Sequence, residues 1–147
     1  MQEQNLSDDT ANRTTRPSFT IYGNFYGEKC FPDLNNLLSE AGKNPMAYGR
    51  MKKKYEFLAT NAMRKSLGHW RAKGKVRLHF WYGEPSKGQK RDYDNITSAS
   101  KKIICDALVK AGYIKDDKPQ YLALSVDEEI KYVSKPYIRV EIEEVTE

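Results

Sequence analysis

Hydrophobic and polar positions along the chain change period several times, and each change predicts an element. Residues 1–17 are polar throughout, which predicts a disordered tail ahead of a single domain over 18–147. Phe19 to Tyr26 alternates well enough for a first strand. Pro32-Asp33-Leu34-Asn35-Asn36 is turn chemistry. Met51, Tyr55, Leu58, Ala62 and Leu67 recur at helical spacing, so a long helix is expected from about Ala47 to Leu67, stopped by Gly68. Val76 to Tyr82 returns to period two, with Val76, Leu78 and Phe80 on one face. Glu84 to Gln89 is expected to be loop. Ile96, Ala99, Ile103, Ala107 and Leu108 form the apolar stripe of a second helix, from about Tyr93 to Ala111, with Gly112 as its stop. Tyr121–Tyr132 and Pro136–Val145 close the chain as two strands, expected to pair as a hairpin through Lys135. The order β-α-β-α-β-β argues for one α+β domain, with a mostly antiparallel sheet and two long helices.

Composition narrows the class. At 147 residues, 39% hydrophobic and 12% aromatic, the chain can bury a sizeable core. It has no apolar run of the ~20 residues a membrane span needs, and no apolar signal core near Met1. A cytoplasmic protein is therefore expected. Cys30 and Cys105 form no CxxC or Cys/His cluster, so structural zinc is not indicated; Cys105 reads as a buried free thiol.

Charge changes the picture more. Residues 43–110 carry 17 Lys and Arg against 5 Asp and Glu, a net +12, while the flanks are acidic and the whole chain is +5. A basic middle third suits an anionic partner such as nucleic acid, although a solvated lysine-rich surface gives the same count.

Inside that basic stretch lies Lys90-Arg91-Asp92-Tyr93-Asp94-Asn95, and Asp116-Asp117 follows the end of the second helix. Magnesium is held by one or two carboxylates with water and phosphate oxygens completing its shell. Two acids at i and i+2 can converge where they open a helix. Acids at both ends of one helix suggest a divalent metal held against a polyanion, as in a metal-dependent nuclease. Helix capping is the competing reading, and for a DxD taken alone it is the commoner one. An EF-hand does not fit, because the sixth position of the would-be loop is Thr97.

The run Arg91-Asp92-Tyr93-Asp94-Asn95, then Asp106-Ala107-Leu108-Val109-Lys110-Ala111-Gly112, then Asp116-Asp117, resembles the signature of the RusA-type Holliday junction resolvases. Pro32 to Asn36 resembles the family's N-terminal P-x-x-N element. The resemblance covers roughly residues 19–145 and is strongest over 90–117. It implies that Asp92, Asp94 and Asp117 bind catalytic Mg2+, with Mn2+ as a substitute ion. It also implies a catalytic lysine four residues before Asp106, which is Lys102. DxDN and D-A-L lie about four residues further apart here than in shorter members, roughly one helical turn. Helical phase counted from Asp94 points instead to Lys101.

The implied activity is resolution of four-way DNA junctions by paired phosphodiester hydrolysis, in a homodimer whose twofold symmetry matches the two cuts. A phage or prophage origin would suit such a compact resolvase. Lys90, Arg91, Lys101, Lys52, Lys53, Lys54 and Asn35 are the candidate DNA contacts. A nuclease for flaps or forks, and a junction-binding protein without catalysis, are the alternatives. His69 and His79 support neither zinc ligation nor a Ser/His pair, and His79 is expected on an exposed strand face.

Overall fold

A computed structural model describes residues 16–23 and 25–146. Its elements are β1 (Ser18–Tyr22), α1 (Leu34–Lys43), α2 (Pro45–Leu67), β2 (Val76–Pro85), α3 (Tyr93–Lys110), β3 (Val126–Val133) and β4 (Tyr137–Glu144). The four strands form one sheet in the order β1-β4-β2-β3. β4 runs antiparallel to both β1 and β2, whereas β3 runs parallel to β2. The α+β class and the mostly antiparallel sheet are as the sequence implies. Most of the tail expected over 1–17 lies outside the described residues, but Pro17 is tied to the sheet through the Ile142 amide, 2.8 Å from its carbonyl.

Four expectations are corrected. Pro32–Asn36 is the start of a third helix, not a turn. Asp33 is the N-cap of α1: its Oδ1 accepts from the Asn36 amide at 2.7 Å, and Asn36 Oδ1 accepts from the Asp33 amide at 3.1 Å. That reciprocal pair is a capping box with Asn in the place of Glu or Gln. Asn44 then ends α1 and caps α2, accepting from the Ala47 amide at 2.7 Å, and Pro45 occupies the first helical position, where no amide is needed. The second correction concerns β1, which stops at Tyr22. Phe25 and Glu28 close a tight turn whose central residues, Tyr26 (φ 56°) and Gly27 (φ 84°), are both left-handed.

The third correction is the expected β3–β4 hairpin. The two strands are separated by β2. Apolar content decides which goes where. Ile138, Val140 and Ile142 of β4 are buried, so β4 belongs in the middle; Val126-Asp127-Glu128-Glu129 of β3 is acidic and suits an edge, where charge discourages further pairing. β2 extends to Pro85, paired to Val133, so Glu84 is strand rather than loop.

The helices cover one face of the sheet. Phe19, Ile21, Leu78, Phe80, Tyr82, Ile138 and Val140 meet Ala59, Met63, Ile96, Ile103, Ala107 and Leu108 in one core. On the other face, the Tyr137 ring lies over Gly83, and a side chain there would collide with it. A bulge in β3 makes Glu128 the unpaired residue between Asp127 and Glu129. It accordingly sends Asp127 toward the helices and Glu128 toward His79. His79 faces away from the helices as expected, yet it is buried, with Nδ1 2.7 Å from Glu128 and Nε2 2.8 Å from Glu143. No helix among the described residues is long and apolar enough to cross a membrane.

Candidate active site

α3 begins where a polar loop meets the sheet, and one part-buried arginine fixes that junction. Arg91 forks onto Glu84 of β2 (Nε–Oε1 3.0 Å, Nη2–Oε2 2.7 Å). Its Nη1 donates to the Phe31 carbonyl at 3.0 Å and lies 3.4 Å from Asp33 Oδ2. Burial alone lowers the Arg91 pKa; the Glu84 bond and charge outweigh that and leave it raised. The guanidinium thus ties β2, the N-cap of α1 and the first residues of α3 together, and it also lines the cleft beside Asp92.

The next residue is Asp92, the N-cap position of α3, whose side chain makes no capping bond. Asp94 stands in the first helical turn, where the helix dipole favours a negative charge. Both are exposed, and no hydrogen bond or ion pair within the described residues engages either carboxylate. This separates the two explanations open for the DxD: a capping pair would be bonded to backbone amides, and this one is not. Asp92 and Asp94 line an open cleft of about 600 Å³ with Tyr93, Ile96, and Ile130 and Tyr132 of β3. Lys90 reaches the same rim. Its Nζ lies 2.6 Å from the Ser86 carbonyl and 4.7 Å from the centre of the Tyr132 ring.

Lys101 and Lys102 diverge. Lys101 points toward β3, its Nζ 2.8 Å from Asp127 Oδ2, while Asp127 Oδ1 accepts from Tyr82 Oη at 3.0 Å. It thus shares the cleft side of α3, about 10 Å along the axis from Asp94. Lys102 points toward α2, its Nζ 3.6 Å from Asp106, which also holds Lys52 at 2.5 Å. Burial lowers the Lys52 pKa, and the Asp106 bond and charge reverse the shift to a net rise.

Asp117 is exposed on the loop after α3 and acts electrostatically on the Cys105 thiol. Among the described residues no three His, Cys, Asp or Glu side chains are spaced to hold one metal ion. Asp92 and Asp94 both line the α3 cleft, and Asp117 is not among the residues that line it. Asp116 turns back on its own loop, accepting from the Asp117 amide at 2.7 Å.

Of the other expected contacts, Lys53 is exposed and Asn35 lies exposed in the first turn of α1. Lys54 stands over the Tyr26 ring at 4.4 Å, and Lys52 is held between Asp106 and Glu56. Sequence reasoning missed Glu84 and Asp33, the anchors of Arg91; the capping-box spacing Asp33-x-x-Asn36 was a readable signal for the second.

The α+β fold thus presents, at the start of α3, two exposed carboxylates without a bond among the described residues, beside cationic side chains. The family model for endodeoxyribonuclease RusA matches residues 14–143, nearly the whole chain. The chain belongs to the RusA endodeoxyribonuclease family. No curated protein matches it.

Proposed function

We propose that this protein is a Mg2+-dependent endodeoxyribonuclease that resolves four-way DNA junctions, as a homodimer making paired incisions. The observation that carries the reading is the Asp92–Asp94 pair, unpartnered among the described residues, at the mouth of the α3 cleft, in a chain matched over residues 14–143 by an endodeoxyribonuclease family. The donor set fits the ion: two carboxylates, with water and phosphate oxygens for the rest of the shell. When bound, magnesium supplies a water of lowered pKa and positive charge for the phosphoryl oxygens.

The chain's own groups do the remainder. Asp92 and Asp94 hold the ion. Asp117 joins them as the third carboxylate on the strength of the family signature. Lys101, on the cleft side, offsets charge that grows on the phosphorus in the transition state; its salt link to Asp127 keeps it extended toward β3. Lys90 at the rim and Lys53 on α2 hold neighbouring phosphates. Tyr93, 76% exposed between the two aspartates, lies against the bound strand.

The test is cleavage of a synthetic four-way junction, with a flap, a fork and a linear duplex of equal length, in Mg2+, Mn2+ and EDTA. Symmetrical nicks on the junction, lost in EDTA and absent on linear duplex, are expected. Cleavage confined to flaps or forks would replace the substrate; tight junction binding without cleavage in either metal would make the protein a binding module.

A further inference from the structure

A second set of cations gathers on the far side of the Arg91 anchor. The loop after the Phe25–Glu28 turn faces α1 and α2 across a cavity of about 1010 Å³. Lys29, Arg50 and Lys54 line it, and Lys29 and Arg50 are exposed with no ion pair among the described residues. Two acids also line it. Glu40 is neutralised by Lys43 at 2.8 Å, which leaves Glu28 against three cations. Asn36 uses its Oδ1 on the α1 cap, so its amide N–H groups remain to donate.

Beside the cavity stands Tyr26, next to Gly27 in the chain and in contact with two of the lining residues, Lys54 and Tyr55. Its φ of 56° is a conformation that costs a non-glycine residue roughly 1–2 kcal/mol, so the surroundings must impose it. They do so through several contacts. Tyr26 Oη donates to the Lys54 carbonyl at 3.0 Å, its ring meets Tyr55 edge-on at 5.6 Å, and Lys54 Nζ sits over the ring. The ring is held firmly, yet Tyr26 stays 42% exposed. A rigid, half-exposed aromatic beside free cations is the chemistry that stacks on a base and holds its phosphates. The cavity also adjoins the α3 cleft. Pro32 lines it, and both neighbours of Pro32, Phe31 and Asp33, bind the Arg91 that precedes Asp92.

We propose that this cavity is a second DNA subsite. It takes the phosphate backbone of an arm other than the one at the α3 cleft, and Tyr26 stacks on a base exposed at the branch. This rests on reading the chain as a branched-DNA nuclease, and it names the feature of the substrate that the protein recognises.

Binding measured by fluorescence anisotropy in EDTA tests the subsite apart from cleavage. Lys29→Ala/Arg50→Ala removes two exposed cations and should melt as wild type does. On a four-way junction it should weaken binding about tenfold at ~100 mM salt, and shallow the slope of log K against log salt by about 2. On a linear duplex of equal length the loss should stay under about twofold. Tyr26→Ala should reduce the preference for junction over duplex and leave the slope unchanged. An unchanged slope and junction affinity in the double variant would overturn the subsite, as would an equal loss on both DNAs. Wild-type protein that shows the expected binding differences and never cleaves in Mg2+ supports the subsite and overturns the nuclease reading alone.

Discussion

The carboxylates of Asp92 and Asp94 make no hydrogen bond or ion pair among the described residues, which makes them clean to test. Asp92→Asn keeps a good N-cap residue, and Asp94→Asn removes one exposed charge, so each should change stability by no more than about 0.5 kcal/mol. Each should abolish cleavage and leave junction binding intact or tighter, because a carboxylate facing phosphate has lost its charge. Near-wild-type single-turnover cleavage in either variant would remove the metal-site assignment. Running Asp117→Asn beside them asks whether the carboxylate on the loop after α3 belongs to the same site. The two lysines separate by geometry. Counting back from Asp106 favours Lys102 and phase from Asp94 favours Lys101; the cleft-side position of Lys101 supports the second. Lys101→Ala should slow cleavage far more than it weakens binding, and Lys102→Ala should do little to either. The reverse order at saturating junction would return the role to Lys102. Burial pushes the Cys105 thiol up to about 12 from 9.0. It stays protonated in the folded chain while the unfolded one ionises, so it contributes stability that is full below pH 9 and is lost as pH rises toward 12. Urea melts at pH 8, 9.5 and 10.5 should show Cys105→Ala losing stability less steeply than wild type.

At the scale of elements, what the sequence made legible was what local pattern controls. The long helices show in their apolar stripes, their ends in Gly68 and Gly112, and the DxDN motif in its place at a helix start. What it hid was set by partners far along the chain. α1 was obscured because its capping box uses Asn36 where Glu or Gln is expected, and its Pro-Asp start imitates a turn. The place of β3 was hidden because adjacency in sequence suggests a hairpin, while its acidic face and the buried face of β4 decide the order. The anchoring role of Arg91 was hidden because Glu84 and Asp33 are 7 and 58 residues away. That anchor yields a test of its own. Arg91→Ala leaves Glu84 buried without its partner and should cost about 3–5 kcal/mol in urea unfolding, far beyond any loss of surface charge. A loss under about 1 kcal/mol would mean that the cluster is not holding β2, α1 and α3 together.

For the whole molecule, the +12 of residues 43–110 overstates the charge available to DNA. Seven of the seventeen basic residues there, among them Lys52, Arg91 and Lys110, sit in ion pairs within the fold. Lys75 is engaged as well. Nine remain, including Arg50, Lys53, Lys54 and Lys90, and they lie on α2, on the loops that flank β2 and beside the α3 cleft. If about half meet phosphate at once, the slope of log K against log salt should be near −4, and affinity should fall roughly 200-fold or more between 50 and 200 mM salt. A slope near −10 would mean that the paired lysines open to bind DNA, so the ion pairs would be dispensable. A flat dependence would make the basic stretch solvated surface and leave junction recognition to contacts that release no counterions. The slope therefore measures how much of the sequence's charge the fold has already consumed.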